Sequence, residues 1–262
     1  MFDILLKACS SAAKIQLEYS KDLNISTKSG PSDFVTDIDV KSQEAIISIL
    51  RSEILDAGFI GEENGGAANL NSKNLFIIDP LDSTSSYIEG LDSFCISIGY
   101  MYEGVLKEGI VFKPKTKEVF YAKKGEGAYK IFNNKKTKLE VNDTEMKDAK
   151  VGFNSGYSEE ARAKLLQNLK ILDPKIKSSE KSRSAVLTSI KVAEGEFDLA
   201  IFGRVFIWDI AAVKLIIEEA GGVVTDWAGK EVELDLENLK KEYQIFVSSD
   251  KLIKEVKLCL NY

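Results

Sequence analysis

The apolar positions of this chain change period several times, and the changes mark out its elements. Residues 1–20 place Ile4, Leu5, Ala8, Ala12, Ile15 and Tyr19 on one broad face at helical spacing, with Lys14, Gln16 and Glu18 between them. A polar, turn-rich stretch follows through Lys28-Ser29-Gly30-Pro31. A second helix is predicted from Asp37 or Asp39 through Ile46, Ile47, Leu50 and Ile54. Gly58 and Gly61 end that regular region, and Gly65-Gly66 marks a loop that positions Glu62 and Glu63 outside a core. Residues 76–79 read as a short buried strand and 83–89 as a short helix. Strands at 94–102 and 105–112 form a hairpin joined at Glu103-Gly104, with two more strands at 119–122 and 127–131. The lysine-rich run 130–138, interrupted by Asn133-Asn134, reads as a solvated loop.

Downstream, 149–153 and 171–173 are weaker strand candidates, and helical spacing is clear over 158–169, 183–194 and 208–220. Gly221-Gly222 ends the last of these. Strands at 223–225 and 245–247 and a helix over 250–260 complete the chain. Helices and strands mixed in this order predict a layered α/β structure. The lysine-rich run marks a passage between two lobes, 1–140 and 141–262.

Composition narrows the chemistry. The 262 residues are 44% hydrophobic and 29% charged, as in an ordinary soluble globule, and the net charge of -6 argues against non-specific binding to nucleic acid. Cys9, Cys95 and Cys259 lie in apolar settings without forming a metal-ligand cluster, which fits a reducing cytoplasm. No stretch is long and apolar enough to insert stably in a membrane, and Asp3 and Lys7 break any signal-peptide pattern. The chain has no histidine at all. Histidine bases, histidine-containing triads and histidine-rich zinc sites are thereby excluded.

The chemistry then falls to acids and hydroxyls. The apolar run 76–78 ends in Asp79-Pro80-Leu81-Asp82-Ser83-Thr84, two acids three residues apart with a hydroxyl just beyond. Taken singly, Asp79-Pro80 also reads as a strand terminus, Asp82 and Asp39 as helix caps, Glu62-Glu63 as a solvated pair and Asp209 as first-turn helix chemistry. Taken together, Glu62, Asp79, Asp82 and Asp209 form a set of hard oxygen ligands that favours magnesium. Two such ions about 4 Å apart activate a water and stabilise the leaving oxygen of a phosphate ester. The amides of Ser83 and Thr84 offer donors to phosphate oxygens.

These segments, with Trp208-Asp209-Ile210-Ala211-Ala212 and Glu219-Ala220-Gly221-Gly222, resemble the three signatures of inositol monophosphatase-like enzymes along nearly the whole chain. The resemblance implies a layered α/β/α/β/α sugar-phosphatase fold, an N-terminal metal- and phosphate-binding lobe and a C-terminal substrate lobe contributing Asp209. It implies lithium-sensitive hydrolysis of small phosphate monoesters with two or three Mg2+ ions, and a cytoplasmic homodimer. Glu62, Asp79 and the Leu81 carbonyl resemble ligands of one metal, and Asp79, Asp82 and Asp209 of the second. Glu63 resembles a ligand of a weaker ion or a support of the metal shell. Thr84, supported by Glu62 and Asp39, resembles the hydroxyl that activates water; Asp82, Ser83, Thr84 and Asp209 also face the phosphate. One departure stands out. Ser83 occupies a position usually held by glycine, where its side chain narrows the space beside the phosphate and resists a left-handed backbone.

The segment from Phe202 to Asp209 resembles CysQ-type 3'(2'),5'-bisphosphate nucleotidases, and Phe202 stands where inositol-specific members carry an acid. The substrate this implies is adenosine 3',5'-bisphosphate, converted to AMP, with Arg204 on the second phosphate and Phe202 or Phe206 beside adenine. Lys28 is a further substrate-side candidate. Arg204 as a helix-flanking charge and the phenylalanines as core remain open readings. Inositol monophosphatase or fructose-1,6-bisphosphatase activity is the near alternative, and a regulatory protein impaired by Ser83 is a distant one.

Overall fold

The structure, a computed structural model, describes residues 1–18, 24–27, 34–63, 66–156 and 158–261. Lys28, Tyr19 and Gly65 lie outside the described residues. Helix α1 (Phe2–Glu18) is followed by the short strands β1 (Ile25–Thr27) and β2 (Phe34–Thr36) and by α2 (Asp37–Glu53). Next come β3 (Gly58–Gly61), β4 (Asn74–Asp82), α3 (Thr84–Ile88), β5 (Cys95–Tyr102), β6 (Val105–Lys113), β7 (Glu118–Lys123), β8 (Gly127–Phe132) and β9 (Lys135–Lys138). The remainder comprises β10 (Lys150–Asn154), α4 (Glu159–Leu172), β11 (Ser178–Lys181), α5 (Ala185–Ala193), β12 (Leu199–Val205), α6 (Ile207–Glu219), β13 (Val223–Asp226), β14 (Tyr243–Ser248) and α7 (Asp250–Leu260).

Two sheets organise these elements: a seven-stranded sheet in the order β3-β4-β5-β6-β7-β8-β9, and a five-stranded sheet in the order β11-β10-β12-β14-β13. The central strands of both are apolar on both faces. In β4, Phe76 and Ile78 pack with Leu5, Ala8, Ile46 and Leu50 of α1 and α2, whereas Leu75 and Ile77 face α5 and α6. In β12, Ala200 and Phe202 join that same central core, while Leu199 and Ile201 pack against Leu165 and Leu169 of α4 and Leu252 and Val256 of α7. A strand with period two and both faces buried must read as a continuous apolar run. The result is the α/β/α/β/α layering that the family resemblance implies. None of the described helices is long and apolar enough to cross a membrane.

Several expectations needed correction. The run 130–138 is not a loop: β8 and β9 pair across a two-residue turn in which Asn133 and Asn134 both have positive φ, 49° and 62°. Residues 171 and 172 finish α4, residue 173 opens a short 3-10 turn, and the strand forms instead at β11. Four consecutive exposed polar residues hid that edge strand. The turn glycines Gly58 and Gly61 proved to bound β3, which pairs in parallel with β4. A side chain at Gly61 would sit 2.3 Å from the Gln43 amide oxygen, so close packing is what selects glycine there.

Helix α6 crosses the seven-stranded sheet at two glycines. A Cβ at Gly99 would lie 2.8 Å from Ala211 Cβ, and one at Gly109 2.7 Å from the Ala212 carbonyl oxygen. We expect Gly109→Val to cost about 1–3 kcal/mol in urea denaturation by forcing α6 off the sheet. Because α6 also carries Asp209, the same variant should bind magnesium more weakly in calorimetry.

Candidate active site

Strand β4 runs fully buried to its end and then breaks register. Asp79 pairs with Ser97 and Asp82 with Cys95, and the ladder shifts between them. The two residues between the acids, Pro80 and Leu81, let both carboxylates reach one side. Asp79 Oδ1 accepts from Leu81 N–H at 3.0 Å, and Gln16 Nε2 of α1 ties down the Pro80 carbonyl at 2.8 Å. Asp209 arrives from the first turn of α6, oriented by a 2.6 Å hydrogen bond that its Oδ2 accepts from Phe206 N–H. One carboxylate oxygen from each of Asp79, Asp82 and Asp209 lies within 4.8 Å of the others.

Asp79 and Asp82 are buried. Burial pushes the Asp82 carboxyl up to about 6, and the negative charge of Glu62 adds to the rise, against the pull of the Ser184 hydroxyl that donates to Asp82 Oδ2. The Cys95 thiol, 3.6 Å from the same oxygen, is itself pushed well up by burial and stays neutral. A carboxylate so placed gains from a positive charge, and a donor set of oxygens alone fits Mg2+.

Glu62 lines the same cavity, its N–H donating to the Ile78 carbonyl at 3.1 Å, without joining the 4.8 Å group. Leu81 also lines it, and Thr84 Oγ1 lies 3.3 Å from the Leu81 carbonyl oxygen. Glu63 is buried, its N–H and C=O both held by the Gln43 side-chain amide at 2.9 and 2.8 Å, and it is not among the cavity-lining residues. Asp39 does two jobs at once. Its Oδ2 accepts from Thr36 N–H at 2.8 Å and Thr36 Oγ1 at 2.6 Å, capping α2, while Oδ1 accepts from Thr84 Oγ1 at 2.8 Å. Burial raises its pKa above the ordinary value despite those donors.

Ser83 takes the left-handed backbone that glycine favours, φ 72° and ψ 54°, with its hydroxyl donating to Ser86 Oγ at 2.8 Å. The cavity, about 520 Å³, continues past Thr84 to Asn154, Arg183, Arg204, Phe206, Trp208, Lys240 and Glu242. Arg204 Nε stands 2.8 Å from Glu242 Oε1 and its guanidinium lies over the Phe206 ring. Phe206 and Trp208 stack with centroids 5.1 Å apart. Phe202 is fully buried in the central core and does not line the cavity, so its ring has no path to a base.

Three supporting residues escaped sequence reasoning: Gln16, Gln43 and Ser184. Gln43 follows Asp39 by one helical turn on the buried face of α2, a polar residue where the pattern calls for an apolar one. Ser184 caps α5, accepting from Leu187 N–H, and only the fold brings it to Asp82.

Residues 1–258 match the model of the inositol monophosphatase family. The chain belongs to that family. It is 31% identical over 247 residues to the fructose-1,6-bisphosphatase/inositol-1-monophosphatase of Thermotoga maritima, covering 92% of this chain and 87% of the relative. It is likewise 31% identical over 233 residues to the Nus factor SuhB of Xylella fastidiosa, covering 87% and 82%. The crystal structure of extragenic suppressor protein suhB from Bartonella henselae superposes with a TM-score of 0.86 at 26% identity, over 99% of this chain and 97% of that one. These likenesses support the inositol monophosphatase and fructose-1,6-bisphosphatase superfamily as a whole, and not specifically its CysQ-type nucleotidases. Within that superfamily the chain is a magnesium-dependent phosphomonoesterase.

Two outcomes follow from the buried carboxylates and the strained turn. Asp82→Asn should abolish magnesium-dependent phosphate release and yet raise the thermal midpoint of the metal-free protein. An acid whose pKa is raised by folding costs nothing while protonated in both states. The gap should therefore open as pH rises from the ordinary 3.8 through about 6. Ser83→Gly should stabilise the fold by about 1 kcal/mol in urea denaturation, less the lost contact to Ser86.

Proposed function

We propose that this phosphomonoesterase acts on phosphate esters of small polyols or sugars. The observation that carries the reading is the polar wall that shares the cavity with the carboxylates. The Arg204–Glu242 pair and Lys240 supply donors and an acceptor there, and the apolar ring of Phe202 is withdrawn into the core. Such a wall suits a ring of hydroxyls, and sites that hydrogen-bond hydroxyls reject analogues lacking them.

The donor set supports a resident divalent cation held by Asp79, Asp82 and Asp209, with Glu62 and the Leu81 carbonyl beside them. When bound, magnesium acidifies a water and offsets the charge of the phosphate. The protein's own part is to receive the proton. Thr84 Oγ1 gives its hydrogen to Asp39 Oδ1 and keeps lone pairs facing the cavity, so it orients a water and accepts from it. The proton passes through Thr84 to Asp39, whose burial makes it a ready acceptor. As the water oxygen bonds to phosphorus, the ester oxygen departs and takes a proton from solvent.

One observation favours a nucleotide instead: the stacked Phe206 and Trp208 rings on the cavity wall offer a base a flat partner. Phosphate release from inositol 1-phosphate, fructose 1,6-bisphosphate and adenosine 3',5'-bisphosphate separates the two. The sugar or polyol esters should lead in kcat/KM by about tenfold or more; a lead for the nucleotide would overturn the assignment.

A further inference from the structure

The cavity wall carries one cation for which the chemistry above has no use. Arg183 directly precedes Ser184, the donor to Asp82, and lines the cavity. Its main chain is fixed there by Asn154 Nδ2, which donates to the Arg183 carbonyl at 3.0 Å. Its guanidinium Nη1 stands 2.6 Å from Glu89 Oε2, and both side chains are about half exposed, 48% and 52%. Ion pairs so open to water are weak and exchangeable. Arg204 differs: only 13% of its side chain is exposed, and it is held between Glu242 and the Phe206 ring.

Arg183 and Thr84 line the same cavity. A group bound at Arg183 therefore shares that cavity with the ester phosphate beside Thr84, as the second phosphate of a small sugar phosphorylated at both ends would. The planar guanidinium fork matches a phosphate bidentately, which a lysine does not.

We propose that Arg183 is a specificity-determining residue that binds a second phosphate on the substrate, exchanging Glu89 for it. The inference rests on the phosphomonoesterase reading and sharpens it toward sugar bisphosphates. Glu89 holds the guanidinium at the rim when no second phosphate is present, and its own charge discriminates against weakly anionic ligands. Arg204 and Lys240 line the same cavity, but Arg204 is held by Glu242 and the Phe206 ring.

The test uses the full chain with magnesium and two probes that lose the same phosphate, fructose 1,6-bisphosphate and fructose 1-phosphate. The quantity read is the ratio of their kcat/KM values. Wild type should favour the bisphosphate. Arg183→Gln should lower the ratio about tenfold, chiefly through KM, and Arg183→Lys should recover part of it. Glu89→Gln should raise the ratio about two- to threefold by removing the competitor. An unmoved ratio in Arg183→Gln, or an equal loss on both esters as expected from a disturbed Ser184, overturns the inference alone. Absence of hydrolysis of both esters by wild type overturns the sugar-ester reading, and the inference with it.

Discussion

Carboxylates repel one another, and this fold holds three of them within 4.8 Å at the junction of its layers. Two come from a strand buried on both faces, and the third rides on a helix that presses against that strand's sheet through Gly99 and Gly109. Neither source can retreat without unpacking a core. The repulsion is therefore held in the site rather than relaxed, and Asp82 carries a raised proton affinity besides, from its burial first and from the charge of Glu62 after it. Around it the described residues place dipoles and hydroxyls. Ser184 and Cys95 face Asp82, Leu81 N–H faces Asp79, and Phe206 N–H faces Asp209. Oxygen-rich surroundings of this kind suit a small multivalent ion.

Much of this was legible in the sequence because it follows local rules. The β4 run is apolar at successive positions since both its faces are covered, and its abrupt end in acids marks where covering stops. Asp39 and Asp209 read as helix-start residues and are such residues, each accepting from a backbone N–H three positions back. What the sequence hid is non-local. β11 is an exposed edge of four polar residues with no apolar pattern to betray it. β3 is four residues that begin and end in glycines with the look of turn residues, yet Gln43 packs against one of them. Ser184 lies 102 positions from the aspartate it serves.

Phe202 shows where residue-by-residue transfer from a family pattern goes astray. Adjacent strand residues point to opposite faces, so a residue near Asp209 along the chain is not thereby near the cavity. Phe202 faces the central core, whereas Arg204, beyond an irregularity in the β12–β14 pairing, turns toward the cavity.

On the mechanism proposed above, Asp39 ties the folding of one helix to the readiness of the Thr84 hydroxyl. The carboxylate is clamped by its own N-cap, so the rotamer that meets Thr84 is selected when α2 forms, before any substrate arrives. The entropy of orienting a proton acceptor is thus spent during folding rather than during turnover. The same coupling makes the first turn of α2 and the reaction one cooperative unit. Fraying at that helix end would silence the enzyme long before the protein as a whole came apart.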